Sequence, residues 1–155
     1  YCITLTRYAF EAAPKRVSAL IDRDPTFGTD RLTGAIMDFG NGRLASFVCS
    51  TQMARHQSLL ILGTKSWIRV NCPFAMPPDW RPQIEIGVNV SPPATVGETE
   101  EFEPTEQYML QGEDFSNRLR TGTVSEFPLE DAVENMEVID AIFRAAKSHS
   151  WETVC

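Results

Sequence analysis

The feature that most constrains this chain is a pair of apolar runs joined by an Asn-Gly turn. Leu32 to Phe39 is long enough for a strand, Gly40-Asn41-Gly42 interrupts it, and Leu44 to Thr51 is a second such run. A type I′ turn needs positive φ at both central residues, which Asn and Gly supply, so this is a hairpin signal. Leu59 to Leu62, a turn at Gly63-Thr64-Lys65, and Trp67 to Val70 repeat the pattern. The block predicts four consecutive antiparallel strands, and a sheet of that size must cover at least one face.

The flanks extend the pattern. Residues 2–11 carry Ile3, Leu5, Tyr8 and Ala9 at helical spacing and stop before Pro14. Arg16 to Asp22 alternates, with Val17, Ala19 and Ile21 on one side, a further strand. Residues 24–30 hold Pro25 and Gly28 and read as a loop. Residues 71–82 contain four prolines among Phe74, Met76 and Trp80. Proline cannot donate to a ladder, so this is a loop that packs over a cleft or a neighbouring subunit. Gln83 to Val90 alternates again, residues 91–97 read as a loop, and the acidic stretch 98–106 around Phe102 reads as a solvated edge strand.

Two helices close the chain. The first spans 106–120, with Thr105 as N-cap, a stripe of Tyr108, Gly112, Phe115 and Leu119, and Gly122 at its end. The second starts at Pro128. Its stripe is Leu129, Val133, Met136, Ile139, Phe143 and Ala146, with acids early and Arg144, Lys147 and His149 late, as the helix dipole favours. Both are amphipathic, so both are expected on the sheet. The expected fold is α+β: one open, largely antiparallel sheet of about six or seven strands with helices on one face. In the hairpin, Leu44 and Val48 share one face while Ala45, Phe47 and Cys49 share the other. The helices are too few to cover both. The second face is therefore expected to self-associate, most simply with another copy.

Charge and cysteine usage exclude several function classes. The 155 residues suffice for a domain with a core. Acids outnumber bases 21 to 14, a formal charge of −7, which argues against nucleic acid and against an anionic membrane surface. No apolar run approaches the ~20 residues of a membrane span. Cys2, Cys49, Cys72 and Cys155 lie far apart, form no CxxC pair, and have only His56 and His149 for company. No zinc spacing exists, and scattered cysteines indicate a reducing compartment, hence the cytoplasm. Glycine fingerprints for dinucleotides or nucleotides, GxSxG and HExxH are absent. A cysteine–histidine nucleophile would need Cys49 or Cys72 beside His56; buried cysteine and a surface or turn histidine are the plainer readings. The chain begins Tyr1-Cys2 without an initiator methionine and reads as a piece of something longer.

Several segments together resemble a family. Tyr1 to Tyr8 (YCITLTRY) looks like the tail of the D-x-G-x-Y segment and its following Thr-Arg-Tyr helix in the glucose–fructose oxidoreductase/inositol dehydrogenase (Gfo/Idh/MocA) family. Gly63-Thr64-Lys65-Ser66-Trp67-Ile68 resembles that family's GTKG-x-I turn, with Ser66 where glycine is usual. Gln111 to Phe115 and Pro128 to Val133 resemble its last two helices. The resemblance implies that residues 1–155 are a C-terminal substrate and oligomerisation domain, an N-terminal Rossmann domain and the family's Glu-Lys-Pro lysine lying before residue 1. It implies NAD or NADP, NADP favoured, in the full-length protein, with no cofactor or metal bound by this chain. The implied substrate is a sugar or related polyol or dihydrodiol, and the implied partner a second copy through the sheet face.

By the same resemblance Tyr1 falls on the family's acid–base tyrosine. Oxidation or reduction at an alcohol carbon needs a proton moved at the adjacent oxygen. An unassisted tyrosine releases its proton only near pH ~10, so Tyr1 would depend on the family's lysine, and the isolated chain is expected to be inactive. Phe74, in the loop after Val70, and Tyr108 are the expected substrate-facing residues. The competing expectation is a non-catalytic binding or assembly module of the same fold.

Overall fold

The hairpin forms where the turn chemistry requires it. In the computed structural model, which describes residues 1–88 and 95–154, strand β2 (Asp30–Gly40) pairs antiparallel with β3 (Arg43–Ser50). Asn41 and Gly42 both take left-handed backbone, φ 54° and 77°. The remaining elements are α1 (Cys2–Phe10), β1 (Arg16–Arg23), β4 (Ser58–Leu62), β5 (Ser66–Asn71), β6 (Gln83–Val88), β7 (Thr95–Glu101), α2 (Gln107–Thr121), α3 (Leu129–Ser148) and β8 (Glu152–Thr153).

The strands do not form one sheet of six or seven. They form two four-stranded antiparallel sheets, ordered β3-β2-β1-β8 and β4-β5-β6-β7. The chain correspondingly divides into two units, Tyr1–Met53 with Val124–Cys155, and Ala54–Thr123. The break between the two predicted hairpins has a local cause. The Ser50 hydroxyl donates to the Arg31 carbonyl at 2.7 Å and accepts from the backbone N–H groups of Gln52 and Met53 at 3.1 and 3.3 Å. Serine offering its backbone such bonds turns the chain out of a ladder.

In the first unit, period-2 alternation sorts each strand onto two faces. Val17 and Ala19 of β1 and Ala35, Met37 and Phe39 of β2 are buried against Ile3 of α1 and the α3 residues Val138, Ala141, Ile142 and Ala145. Ala45 and Phe47 of β3, which the hairpin reading puts on one face with Cys49, pack at the edge of this core, while Cys49 is exposed. The α3 stripe differs from expectation. Ile139 and Ala146 pack on the core, but the fully buried face is Val138, Ala141, Ile142 and Ala145, and Leu129, Val133 and Met136 are exposed. Small alanines at Ala141 and Ala145 let the helix approach the sheet closely. The opposite face of this sheet is open: Leu20, Ile36, Leu44 and Val48 are exposed.

In the second unit, the meander β4 to β7 ends on an edge strand whose every residue is exposed. That agrees with the acidic-edge reading for Glu98 to Glu101 and corrects the loop reading at Thr95 to Gly97. The expected Val90 end of β6, the loop residues 91–94 and Cys155 lie outside the described residues. Helix α2 begins one residue later than read: Glu106, not Thr105, is its N-cap, accepting from the Tyr108 N–H. Gly122 closes it with φ 70°. None of its residues is buried. Its stripe does not cover a sheet, because periodicity says which side of a helix can be buried and not what is there to bury it.

Candidate functional site

Tyr1 stands as the N-cap residue of α1, its carbonyl accepting from Leu5 N–H at 2.9 Å, and its side chain is exposed. What holds α1 in place is Arg7. This guanidinium is 7% exposed. Its Nη2 meets Asp131 Oδ1 at 2.9 Å and Glu134 Oε2 at 2.6 Å, and its Nη1 donates to the Asp131 carbonyl at 3.0 Å. Arginine's planar fork suits such paired contacts, and here it ties α1 to the first turns of α3, where the acids also favour the helix dipole. Thr4 Oγ1 to Asn135 Oδ1, 3.1 Å, adds a second tie.

Phe74 belongs to the other unit. It is half-buried in the proline-rich loop after β5. The organising residue of this loop is Gln57, which the sequence reading did not single out. Its Oε1 accepts from the backbone N–H groups of Phe74 and Ala75, each at 3.1 Å, and its carbonyl accepts from Cys72 N–H at 3.3 Å. Tyr108, also of this unit, is exposed on the first turn of α2. Nothing in the local sequence marks Gln57, because its partners are fifteen to eighteen residues away.

The alternative nucleophile is not supported. Cys49 is an exposed residue, not a buried one as the commoner reading had it, and Cys72 is half-buried. Desolvation of the sulfur, with a contribution from Cys2, pushes the Cys49 thiol above its ordinary range, the opposite of what a reactive thiolate needs. His56 is exposed, which agrees with its surface reading. Among the described residues no group of three His, Cys, Asp or Glu could hold a metal ion, and no helix is long and apolar enough to cross a membrane.

Ser66, the departure from GTKG, begins β5 without positive φ, and Gly63 N–H donates to its carbonyl at 2.9 Å. Glycine is therefore not required there. A profile of the GFO/IDH/MocA C-terminal domain matches residues 1–69. An uncharacterized oxidoreductase, ORF334, of Rhizobium meliloti is 40% identical over 154 residues, 99% of this chain and 46% of its own. Residues 1–69 belong to the GFO/IDH/MocA C-terminal domain family.

A further relative, D-xylose 1-dehydrogenase (NADP(+)) 2 of Haloferax volcanii, is 25% identical over 96% of this chain and 44% of its own. The chain thus spans about half the length of the curated relatives it matches. The fold agrees with the crystal structure of KijD10, a 3-ketoreductase from Actinomadura kijaniata in complex with NADP and TDP-benzene. The TM-score is 0.80 at 17% identity, over 94% of this chain and 43% of that one. The residues described here do not themselves fit a nicotinamide dinucleotide of the Rossmann type. Every strand pairing among them is antiparallel, whereas that site is built on a parallel βαβ unit with a glycine-rich turn.

Proposed function

We propose that residues 1–155 are the substrate-binding and assembly domain of a longer NAD(P)-dependent oxidoreductase, one that acts on a sugar or related polyol or dihydrodiol by hydride transfer. The observation that carries this reading is the likeness of the whole chain to part of an oxidoreductase about twice as long. NADP, in preference to NAD, is held by residues outside this chain, so the chain alone is inactive.

Within this reading Tyr1 moves the proton at the reacting oxygen of the substrate. Its place at the N-terminus of a helix anchored by Arg7 suits a group that must be held still. Phe74 and Tyr108 line the substrate side, an apolar ring wall being a usual surface for the C–H faces of a sugar-like molecule. The open face of the first sheet, with Leu20, Ile36, Leu44 and Val48 exposed, joins two copies. The thiols of Cys2, Cys49 and Cys72 are unpaired, which suits a reducing cytoplasm.

The test is turnover by the full-length protein. Purified protein is assayed with NADP or NAD against a panel of aldoses, polyols and dihydrodiols, beside its Tyr1→Phe variant. The expected result is turnover of at least one sugar-like substrate and a kcat lowered by about 10²–10⁴ in the variant, the usual contribution of a positioned acid or base. Failure to turn over any of them returns the chain to a non-catalytic assembly module. An unchanged kcat removes Tyr1 from the mechanism.

A further inference from the structure

We infer that Gln57 is the positioning residue of the Phe74 loop, and that through this loop it sets how tightly the sugar-like substrate is held. The inference rests on the reading that Phe74 faces substrate; the role of Gln57 itself comes from the geometry of the loop. Gln57 lies just before β4, and both its side chain and its backbone serve the loop. One carboxamide oxygen receives two successive backbone N–H groups, those of Phe74 and Ala75. Its carbonyl receives the Cys72 N–H, and the Cys72 thiol approaches the same carboxamide oxygen at 3.9 Å and the Ala75 carbonyl at 3.4 Å.

The loop needs such an anchor. Pro73, Pro77 and Pro78 lack N–H groups and have fixed φ, so the segment cannot continue the β5 ladder. Cys72 opens it in a left-handed conformation, φ 56°, which a side-chain-bearing residue adopts when its surroundings over-determine it. Two consecutive N–H groups aimed at one point form a small concave site that wants an electron-rich oxygen. Gln57 fills it from across the sheet edge. Asparagine is one methylene shorter, glutamate keeps the acceptor, and methionine keeps the length but offers a weak one.

The experiment uses the full-length protein, its Gln57→Met and Gln57→Glu variants, and Phe74→Ala alone and combined with Gln57→Met. The readouts are KM for the sugar, KM for the dinucleotide, kcat, and hydrogen exchange at the Phe74 and Ala75 amides. Gln57→Met is expected to raise the sugar KM about tenfold while the dinucleotide KM stays within about twofold, a split that general destabilisation does not produce. Exchange at both amides accelerates, Gln57→Glu restores the sugar KM to within about threefold, and Phe74→Ala makes Gln57→Met nearly silent, as expected of coupled residues. An unchanged sugar KM in Gln57→Met, equal impairment in Gln57→Glu, or simple additivity with Phe74→Ala overturns the inference. If the wild type turns over no sugar, the functional reading fails and takes the substrate role with it. The exchange readout then separately tells whether Gln57 anchors the loop.

Discussion

The indole of Trp67 lies across Gly87 on the neighbouring strand, so closely that a Cβ at Gly87 would fall 1.7 Å from Cε2 and 2.0 Å from Nε1. The two residues are direct cross-strand partners of β5 and β6. The glycine is what lets the ring lie down against the neighbouring strand, where it is 9% exposed. Arg69 then stacks its guanidinium 5.1 Å from the same indole and pairs with Glu85 at 2.9 Å.

Gly87→Ala should therefore destabilise the protein by about 2 kcal/mol, the usual cost of overpacking, because a rigid indole has to leave its seat. The measurement is the midpoint of urea unfolding. Adding Trp67→Phe should recover part of the loss, since the two positions share one space. A midpoint equal to wild type in Gly87→Ala would contradict the close fit.

Arg7 is buried against two acids that are themselves partly wet, Asp131 at 34% and Glu134 at 54% exposure. The acids can rehydrate when the cation is removed, so Arg7→Ala should cost about 2 kcal/mol, less than the largest values seen for buried pairs. Arg7→Lys should lose most of that, because an ammonium cannot make the forked contact. Thermal unfolding of both variants checks this. A Lys variant as stable as wild type would mean that charge alone, and not the fork, holds α1 to α3.

The acid side of the stability profile has named sources. Asp38 is held below its ordinary 3.8 first by the Gly40 N–H and then by Arg16, and Asp24 is held below its ordinary 3.8 first by the Phe27 N–H and then by Thr26 N–H. Both folded values lie under the unfolded ones, so the stabilisation is fully present above about 3.8 and is lost as pH falls through the lower folded values. Tm followed from about pH 6 to about pH 2 should drop more gently in Asp38→Asn and Asp24→Asn than in wild type. Parallel curves would assign acid sensitivity to other carboxylates.

The open face of the first sheet predicts an association. Leu20 at 74% and Val48 at 67% exposure flank Gly34 in a single cross-strand row, and Arg16 and Asp38 on the same face already neutralise each other at 2.9 Å. The full-length protein should sediment as a dimer or larger at micromolar concentration, and Val48→Lys should weaken association about a hundredfold by placing an unpaired charge in it. Monomers of the wild type at that concentration would dispose of the face as an interface.

Much of the fold was legible because it depends on neighbours in sequence. Asn41-Gly42 specified its turn, Val17, Ala19 and Ile21 specified the inward side of β1, and Gly122 specified a helix end, each through backbone sterics or period alone. The segments that resemble the GFO/IDH/MocA family were legible for the same reason: Gly63 to Ile68 is a local turn. Other readings depended on residues far apart. The α3 stripe reads as Leu129, Val133, Met136, Ile139, Phe143 and Ala146; Ile139 and Ala146 do pack on the core, but Val138, Ala141, Ile142 and Ala145 form the buried face, because the seat for a helix is shaped by the strands beneath it.

The amino-acid order by itself placed most of the strands, turns and helices, though not the start of β7 or the short β8, and marked both faces of the first hairpin as apolar. The tertiary structure alone decided that Ser50 ends one sheet before Ser58 begins another, that Arg7 finds its acids on α3, and that Gln57 receives the N–H groups of Phe74 and Ala75. The physical reason is the range of the interactions. Periodicity and turn chemistry act over a few residues, while hydrogen-bond partners separated by tens of residues become known only when the chain has brought them together.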